Sequence, residues 1–445
     1  MSVRRGKLNT WMPKPAFVRP KPKIWEKIVA DSDLSCLKLA RLGPRPASCG
    51  FGAAHIDVVI SKLKVLWICG LPRQVQNDVL GGKDHGAHAD WSWVMGHLPP
   101  PDNVELHIAC RVARGAPSRE FSYRGAHFHL VPVKARARAV FLFRFDHLYF
   151  RDLVERLKPD VVHGWGTEDA YANVAVKLAP IQHVVEVQGN INAYMKRVQM
   201  PWLSRWVARN ERWVLARARH VAAENEYSLG AAQPMINTRS VFAIEHPIRP
   251  DFLTEPPADG SARQVLFLGA IEDRKGIWDA VEAFRKGAPA DWKLCIIGNG
   301  SPETVEKLKG LLAAPDLAGR AVHHPRLDSS QIIPLMRTAS LFLLPTRIDT
   351  GPTALKEAIA MGLWPVCYDN SGPQHYIRKF KFGNVAEDLN PAALAETLRR
   401  AISEQPWKNP GQIRKIETVI RPHFDRQRIW NELGAMYQKI AAKLN

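Results

Sequence analysis

Two acidic residues eight positions apart, Asp349 and Glu357, flank the start of a helical pattern that follows the short apolar run Leu341–Leu344. Between them lie Thr350, Gly351, Pro352, Thr353, Ala354, Leu355 and Lys356. A buried strand therefore feeds a loop containing glycine and proline, and a helix follows. The N–H groups of Thr353, Ala354 and Leu355 would lack intrahelical partners and sit at the positive end of the helix dipole. That is a ready site for an anion such as a diphosphate. Asp349 precedes the helix and Glu357 lies about a turn inside it, so the two carboxylates could reach different hydroxyl groups of one extended ligand. By spacing alone they would be a solvated pair. The glycine turn and the small-residue helix up to Gly362 argue otherwise.

Other segments carry the same kind of chemistry. The apolar run Gln264–Leu268 ends in Gly269 and is followed by Arg274 and Lys275, which read as plain surface cations or as partners for a phosphate. Ile296–Gly300 places Gly298 and Gly300 in a tight turn after a strand, a weak signal alone. In the first half of the chain Gly81 and Gly82 precede a helical pattern, His163 lies near a strand end, and Gln188, Gly189 and Asn190 close another strand. A lone strand-end histidine is ordinarily packed or capping. His323 and His324 are adjacent, so on a strand they point to opposite faces and make no metal pair. No Asp-x-Asp pattern stands at a suitable strand end.

The elements that position these residues alternate strand and helix. In the first half, strands are expected at Val65–Gly70, Val104–Cys110, Asp160–His163 and His183–Val187, and helices at Asp84–His97, Leu148–Leu157 and Tyr171–Leu178. After the Pro-rich stretch Glu245–Pro257 the alternation restarts, with strands Gln264–Leu268, Leu294–Ile297, Leu341–Leu344 and Trp364–Tyr368. Helices are expected at Ile277–Arg285, Pro302–Leu312 and Thr353–Met361. This is an α/β protein with two Rossmann-like βα domains facing across a cleft. The expected division is a basic, Pro-rich extension at 1–62, a first βα domain at 63–247, a second βα domain at 248–425, and a C-terminal helix at 426–445 that can pack back on the first domain. Ligands of such sheets lie beyond the carboxyl ends of the strands.

Charge and composition narrow the classes. A net charge of +19 predicts attraction to polyanions. No helix-turn-helix, zinc-finger or RNP-like pattern supports nucleic acid as the partner. No run approaches the ~18 apolar residues of a membrane span, and the N-terminus lacks the apolar stretch of a secretory signal. Six cysteines without CxxC spacing argue for reduced, buried thiols and a cytoplasmic setting. Residues 1–62 carry 12 basic and 4 acidic side chains; they read as a disordered extension, an upstream segment, or a basic anchor on an anionic membrane. Between Met200 and His220, Trp202, Trp206 and Trp213 share a helix face beside Arg205, Arg209 and Arg212. That stripe reads as buried core, or as an edge resting on the interdomain cleft or an anionic leaflet.

The stretch from Asp349 through Glu357 to Pro365-Val366 resembles the acidic-x7-Glu motif of the large retaining, nucleotide-sugar-dependent glycosyltransferase family of GT-B fold (glycosyl transferases group 1). Strand, Gly269 and Lys275-Gly276 are similar to that family's strand, Gly-Arg-Leu and Lys-Gly pattern, with Ala270 in place of the arginine. Gly298 and Gly300 resemble its Gly-Asp-Gly turn, and Gly81-Gly82 its first glycine loop. Gln188 stands where the family's histidine touches the reacting sugar. The resemblance covers about 63–440.

It implies that Glu357 holds the ribose hydroxyls of the donor and that Asp349 faces the transferred sugar. Lys275, with Arg274 as a stand-in for the missing cation, would neutralise the departing diphosphate. Gln188 cannot transfer a proton but can hydrogen-bond a sugar hydroxyl. His163 and Asn190 fall on the acceptor side. The implied activity is retaining, metal-independent and without a cofactor, the nucleotide sugar being a substrate. The implied acceptor is a saccharide or lipid-linked saccharide of polysaccharide or lipopolysaccharide biosynthesis, met by a cytoplasmic protein able to rest on an anionic membrane surface. Two rivals stay open, a sugar-nucleotide epimerase of the same fold and a non-catalytic basic nucleotide-binding scaffold.

Overall fold

The computed structural model describes residues 62–442 apart from 83–87, 90–99, 114–115, 117, 134–139 and 142. The extension 1–62 and most of the helical pattern Asp84–His97 therefore lie outside the described residues, apart from Lys62 and the short strand at His88–Ala89.

The first sheet contains β1 (Leu63–Pro72), β2 (His88–Ala89), β3 (Val104–Ala113), β4 (Arg119–Tyr123), β5 (Ala126–Val133), β6 (Val161–Trp165), β7 (Gln182–Val187), β8 (His220–Ala223) and β9 (Val241–Ala243). Its order is β4-β5-β3-β1-β6-β7-β8-β9, with β2 paired to β1. Every pairing is parallel except β4 with β5. That hairpin turns on Arg124 and Gly125, both at positive φ (49° and 78°), the geometry of a two-residue primed turn. The parallel strands are nearly continuous apolar runs because helices cover both faces. Val65 to Ile68 of β1 are fully buried.

The second sheet contains β10 (Gln264–Leu268), β11 (Lys293–Ile297), β12 (Ala321–His324), β13 (Leu341–Leu343), β14 (Trp364–Tyr368) and β15 (Asn384–Ala386), in the order β12-β11-β10-β13-β14-β15 and wholly parallel. The strand order reverses between β10 and β13. In the first sheet it reverses between β1 and β6. Chain leaving the carboxyl ends of these pairs opens the crevices where ligands of doubly wound sheets bind.

The helix Arg426–Ala441 returns to the first sheet. Its apolar stripe of Ile429, Trp430, Leu433, Met436, Tyr437 and Ile440 follows helical spacing and joins the core beside β1, β3 and β6. Trp430 stacks on Trp67 at 5.5 Å between ring centroids. The Tyr437 hydroxyl accepts from Trp67 Nε1 at 2.8 Å and shares a hydrogen bond with His163 Nδ1 at 2.8 Å.

Two expectations are corrected here. Arg73–Leu80 is helical, and Gly81 with Gly82 end that helix, their N–H groups donating to the carbonyl of Gln76. The glycine pair is therefore a helix stop with positive φ at both residues. The tryptophan stripe is core only in part: Trp213 packs against the core, Trp202 is 66% exposed, and the helix Ser204–Leu215 buries Ala208, Asn210, Glu211, Val214 and Leu215. Cys69, Cys110, Cys295 and Cys367 are buried free thiols. Among the described residues no helix is long and apolar enough to cross a membrane.

Candidate active site

The loops leaving β10 and β13 meet at the reversal point of the second sheet, and backbone contacts fix their register. The carbonyl of Arg274 accepts from the N–H of Arg347 at 2.8 Å and from Thr346 Oγ1 at 2.9 Å. Gly276 has φ 73° and packs so tightly that a Cβ there would stand 2.0 Å from the carbonyl oxygen of Pro345. No side chain fits at that crossing, so the Lys-Gly pair is set by packing as well as by conformation. The result brings Lys275 Nζ into contact with Asp349 Oδ2, while Arg274 Nη1 lies 3.6 Å from the same oxygen.

The opposite wall comes from the first sheet. Gln188 and Gly189 follow β7, Glu168 follows β6, and Tyr194 ends the short helix Ile191–Tyr194. Glu211, buried on the helix Ser204–Leu215, braces this wall. It accepts from Thr167 Oγ1 (2.9 Å), Ile191 N (3.1 Å) and Asn192 N (2.9 Å). The guanidinium of Arg274 lies 5.7 Å from the Tyr194 ring centroid, and Thr350 Oγ1 donates to the Gln188 carbonyl at 2.8 Å. Between the walls lies a cavity of about 800 Å³, lined by Glu168, Gln188, Tyr194, Arg274, Lys275 and Asp349 among others. A shallower groove of about 510 Å³ shares the segment Val198–Pro201 with it and adds Lys196 and Arg205.

Sequence resemblance to glycosyl transferases agrees with this geometry. The "Glycosyl transferase 4-like domain" profile matches residues 100–232, and the "Glycosyl transferases group 1" profile matches 249–416. Together they cover more than half of the chain, one on each sheet. Residues 249–416 form a glycosyl transferases group 1 domain. A putative teichuronic acid biosynthesis glycosyltransferase, TuaC of Bacillus subtilis, is 25% identical over 178 residues, which are 40% of this chain and 42% of that relative. Among solved structures, sucrose-phosphate synthase from Thermosynechococcus elongatus matches with a TM-score of 0.69 at 13% identity, over 86% of this chain and 100% of that one. Anabaena HepE in complex with UDP gives 0.62 at 13%, over 85% and 100%. WaaG, a glycosyltransferase involved in lipopolysaccharide biosynthesis, gives 0.55 at 15%, over 85% and 98%. These neighbours establish the GT-B fold for this chain.

The cavity gathers Lys275, Arg274, Asp349 and Gln188 from the sequence-derived set. The other residues of that set lie elsewhere. Glu357 is 2% exposed and bound at both oxygens by Arg249, through Nε at 2.8 Å and Nη2 at 2.9 Å. Burial raises its pKa, and the Arg249 hydrogen bonds and charge oppose the rise. Thr353, Ala354 and Leu355 start the helix Thr353–Ala360 without a side-chain cap. The Glu224 carboxylate packs against the turn before it, where a Cβ on Gly351 would stand 2.3 Å from its Oε1. Gly269, Gly298 and Gly300 serve a backbone crossing outside the cavity lining, where a Cβ on Gly298 would stand 1.8 Å from the Gly269 oxygen.

Two acceptor-side expectations are corrected. His163 is fully buried beneath the C-terminal helix, where burial holds its pKa well below the usual value. Asn190 is 1% exposed and caps the helix Ile191–Tyr194, its Oδ1 accepting from Ala193 N at 2.9 Å.

Sequence reasoning missed a buried polar network between the sheets. Lys356, 1% exposed, donates to Glu245 Oε1 (3.0 Å), Glu224 Oε2 (3.3 Å) and the His246 carbonyl (3.0 Å). Burial pushes the Glu245 carboxyl up, but the charges of Lys356 and His423 and their hydrogen bonds win and bring it down to about 2. Glu186 pairs with His246 Nε2 at 3.0 Å. A lysine one residue before Glu357 reads as an exposed helix position until partners from Glu224 and Glu245 are known to face it. A second cavity of about 490 Å³, lined by Glu224, Glu245, His423 and the C-terminal helix, shares no residue with the cleft.

Proposed function

We propose that this protein transfers a glycosyl unit from a nucleoside diphosphate donor to a saccharide or lipid-linked acceptor, with retention at the anomeric carbon and no metal. The observation that carries the reading is the pairing of Lys275 and Arg274 with Asp349 at the reversal point of the second sheet, opposite Gln188. A departing diphosphate needs cations in a site poor in water, and two are held there in advance. Entry of the diphosphate draws Lys275 away from Asp349 and leaves that carboxylate facing the transferred sugar. Gln188 hydrogen-bonds a sugar hydroxyl. Glu357 lies outside the cavity with both oxygens held by Arg249, so binding of the ribose diol by Glu357 requires Arg249 to give way. The leaving phosphate takes the acceptor hydroxyl proton on the same face, which accounts for retention without a protein base.

The groove with Lys196 and Arg205 suits an anionic acceptor tail, as a lipid diphosphate or a phosphorylated glycan would present. Both side chains are exposed, and neither forms an ion pair with the described residues. Exposed Phe141 (61%), Phe145 (57%) and Trp202 (66%), with the basic excess, support work in the cytoplasm against an anionic membrane surface.

Mass spectrometry of a nucleotide-sugar panel with and without cell-envelope glycan tests the reading. Acceptor-dependent nucleotide release supports it, whereas donor interconversion without acceptor marks an epimerase and no turnover marks a scaffold. NMR of the first-formed product reports the anomeric configuration, and an inverted product removes the retaining mechanism.

A further inference from the structure

We propose that Glu168 is an acceptor-binding residue whose carboxylate accepts hydrogen bonds from the hydroxyl groups of the acceptor sugar. The inference rests on the glycosyl-transfer reading and deepens it by naming a contact that orients the incoming nucleophile.

Glu168 follows β6 at the reversal point of the first sheet, opposite the loops that bring Lys275 and Asp349 to the cavity. Its carboxyl lies across two residues without side chains. A Cβ on Gly166 would stand 3.0 Å from Glu168 Oε1, and one on Gly189 would stand 3.9 Å from its Cδ. The loop beneath is fixed, because Thr167 Oγ1 donates to the Gly189 carbonyl at 3.2 Å and to Glu211 Oε1 at 2.9 Å. Asp169 caps the next helix and pairs with Arg111 at 2.8 Å. Glu168 is thus held at the cavity wall, yet its buried Oε2 has no hydrogen-bond partner among the described residues.

A buried acceptor atom without a donor is costly, and a ligand hydroxyl supplies the missing donor. The charges around it choose which part of the substrates that is. Glu211 lies behind the wall, Asp169 is adjacent and Tyr194 stands beside it, while Lys275 and Arg274 across the cavity are engaged by Asp349. No cation contacts Glu168 among the described residues, so a diphosphate is repelled there and a neutral, hydroxyl-rich sugar is accepted. Burial, with repulsion from Glu211 and Asp169, pushes its pKa up to about 7 against the backbone N–H groups of Glu168 and Gly189. The carboxylate form that accepts from hydroxyls therefore fills as pH rises through that value.

The test compares wild type, Glu168→Gln and Glu168→Asp with a nucleotide-sugar panel and a methyl glycoside acceptor panel, and titrates each with nucleoside diphosphates. Expected for Glu168→Gln is an acceptor KM raised by about tenfold or more, the loss of one charged hydrogen bond, with diphosphate affinity unchanged. The activity limb near pH 7 disappears in Glu168→Gln and persists in Glu168→Asp, which also answers the question should the Gln variant fail to fold. Wild-type acceptor KM and an intact limb in Glu168→Gln overturn the inference and leave glycosyl transfer standing. A wild-type protein that binds no diphosphate and turns over no donor overturns both.

Discussion

Lys275 and Asp349, 74 residues apart in sequence, form an ion pair where the loops leaving β10 and β13 cross. The side chains are 17% and 10% exposed, so the pair is open to a ligand on one side and shielded on the other. An anion entering the cavity competes with Asp349 for the lysine.

Removing that cation acts on the transition state more than on the fold. Lys275→Ala is expected to lower kcat/KM for the donor by at least about tenfold, ~1.4 kcal/mol in barrier. Tm should shift little, because the pair lies at a cavity wall. Steady-state kinetics and thermal melts on the same preparation separate the two effects.

Glu357 behaves differently because it is buried and its partner is not. Arg249→Ala leaves a buried carboxylate without its donors, a loss of about 1–3 kcal/mol or more. Arg249→Ala should therefore lower the urea midpoint strongly, whereas Glu357→Ala should lower donor turnover by at least about tenfold. Equal Tm and equal kinetics in both variants would deny the pair any role.

The network between the sheets predicts a pH dependence with a definite sign. Burial, reinforced by the charges of Glu224 and Glu168, raises the pKa of Glu186 well above the ordinary carboxyl value. A carboxyl raised by folding contributes fully below its unfolded pKa, near 4.5, and loses that contribution as pH rises through the folded value. Glu186→Gln mimics the protonated form. Its Tm minus that of wild type should therefore grow from pH 5 to pH 8, and a difference that shrinks would reverse the assignment.

The C-terminal helix should act as a structural tether. Trp430→Ala removes the ring stacked on Trp67, and large-to-small changes at such sites cost about 3–5 kcal/mol. Tyr437→Phe leaves Trp67 Nε1 and His163 Nδ1 without their shared hydroxyl, a loss of about 1–3 kcal/mol. Chemical denaturation of the two variants checks both figures.

Much of the fold was readable before the structure, because parallel strands buried on both faces are continuous apolar runs ending in glycine. β10, β14 and the helices Leu148–Leu157 and Pro302–Leu312 coincide with the expected segments. The β4–β5 hairpin did not announce itself, since Arg124-Gly125 replaces the Asn-Gly that usually marks a primed turn. In the site, Lys275, Arg274, Asp349 and Gln188 were legible because each follows a strand end that local pattern locates. Glu168, Glu211 and Lys356 were not. The meaning of Glu211 and Lys356 depends on partners 19 to 132 residues away, and Glu168 matters only through the glycines beneath it and the cavity in front.

Isothermal titration of wild type and Lys275→Ala with UDP, ADP and GDP bears most directly on the diphosphate site. Saturable binding of at least one nucleotide, weakened about tenfold or more by the substitution, is the expected result. Absence of binding for all three, or identical affinity in the variant, would contradict a diphosphate held between β10 and β13.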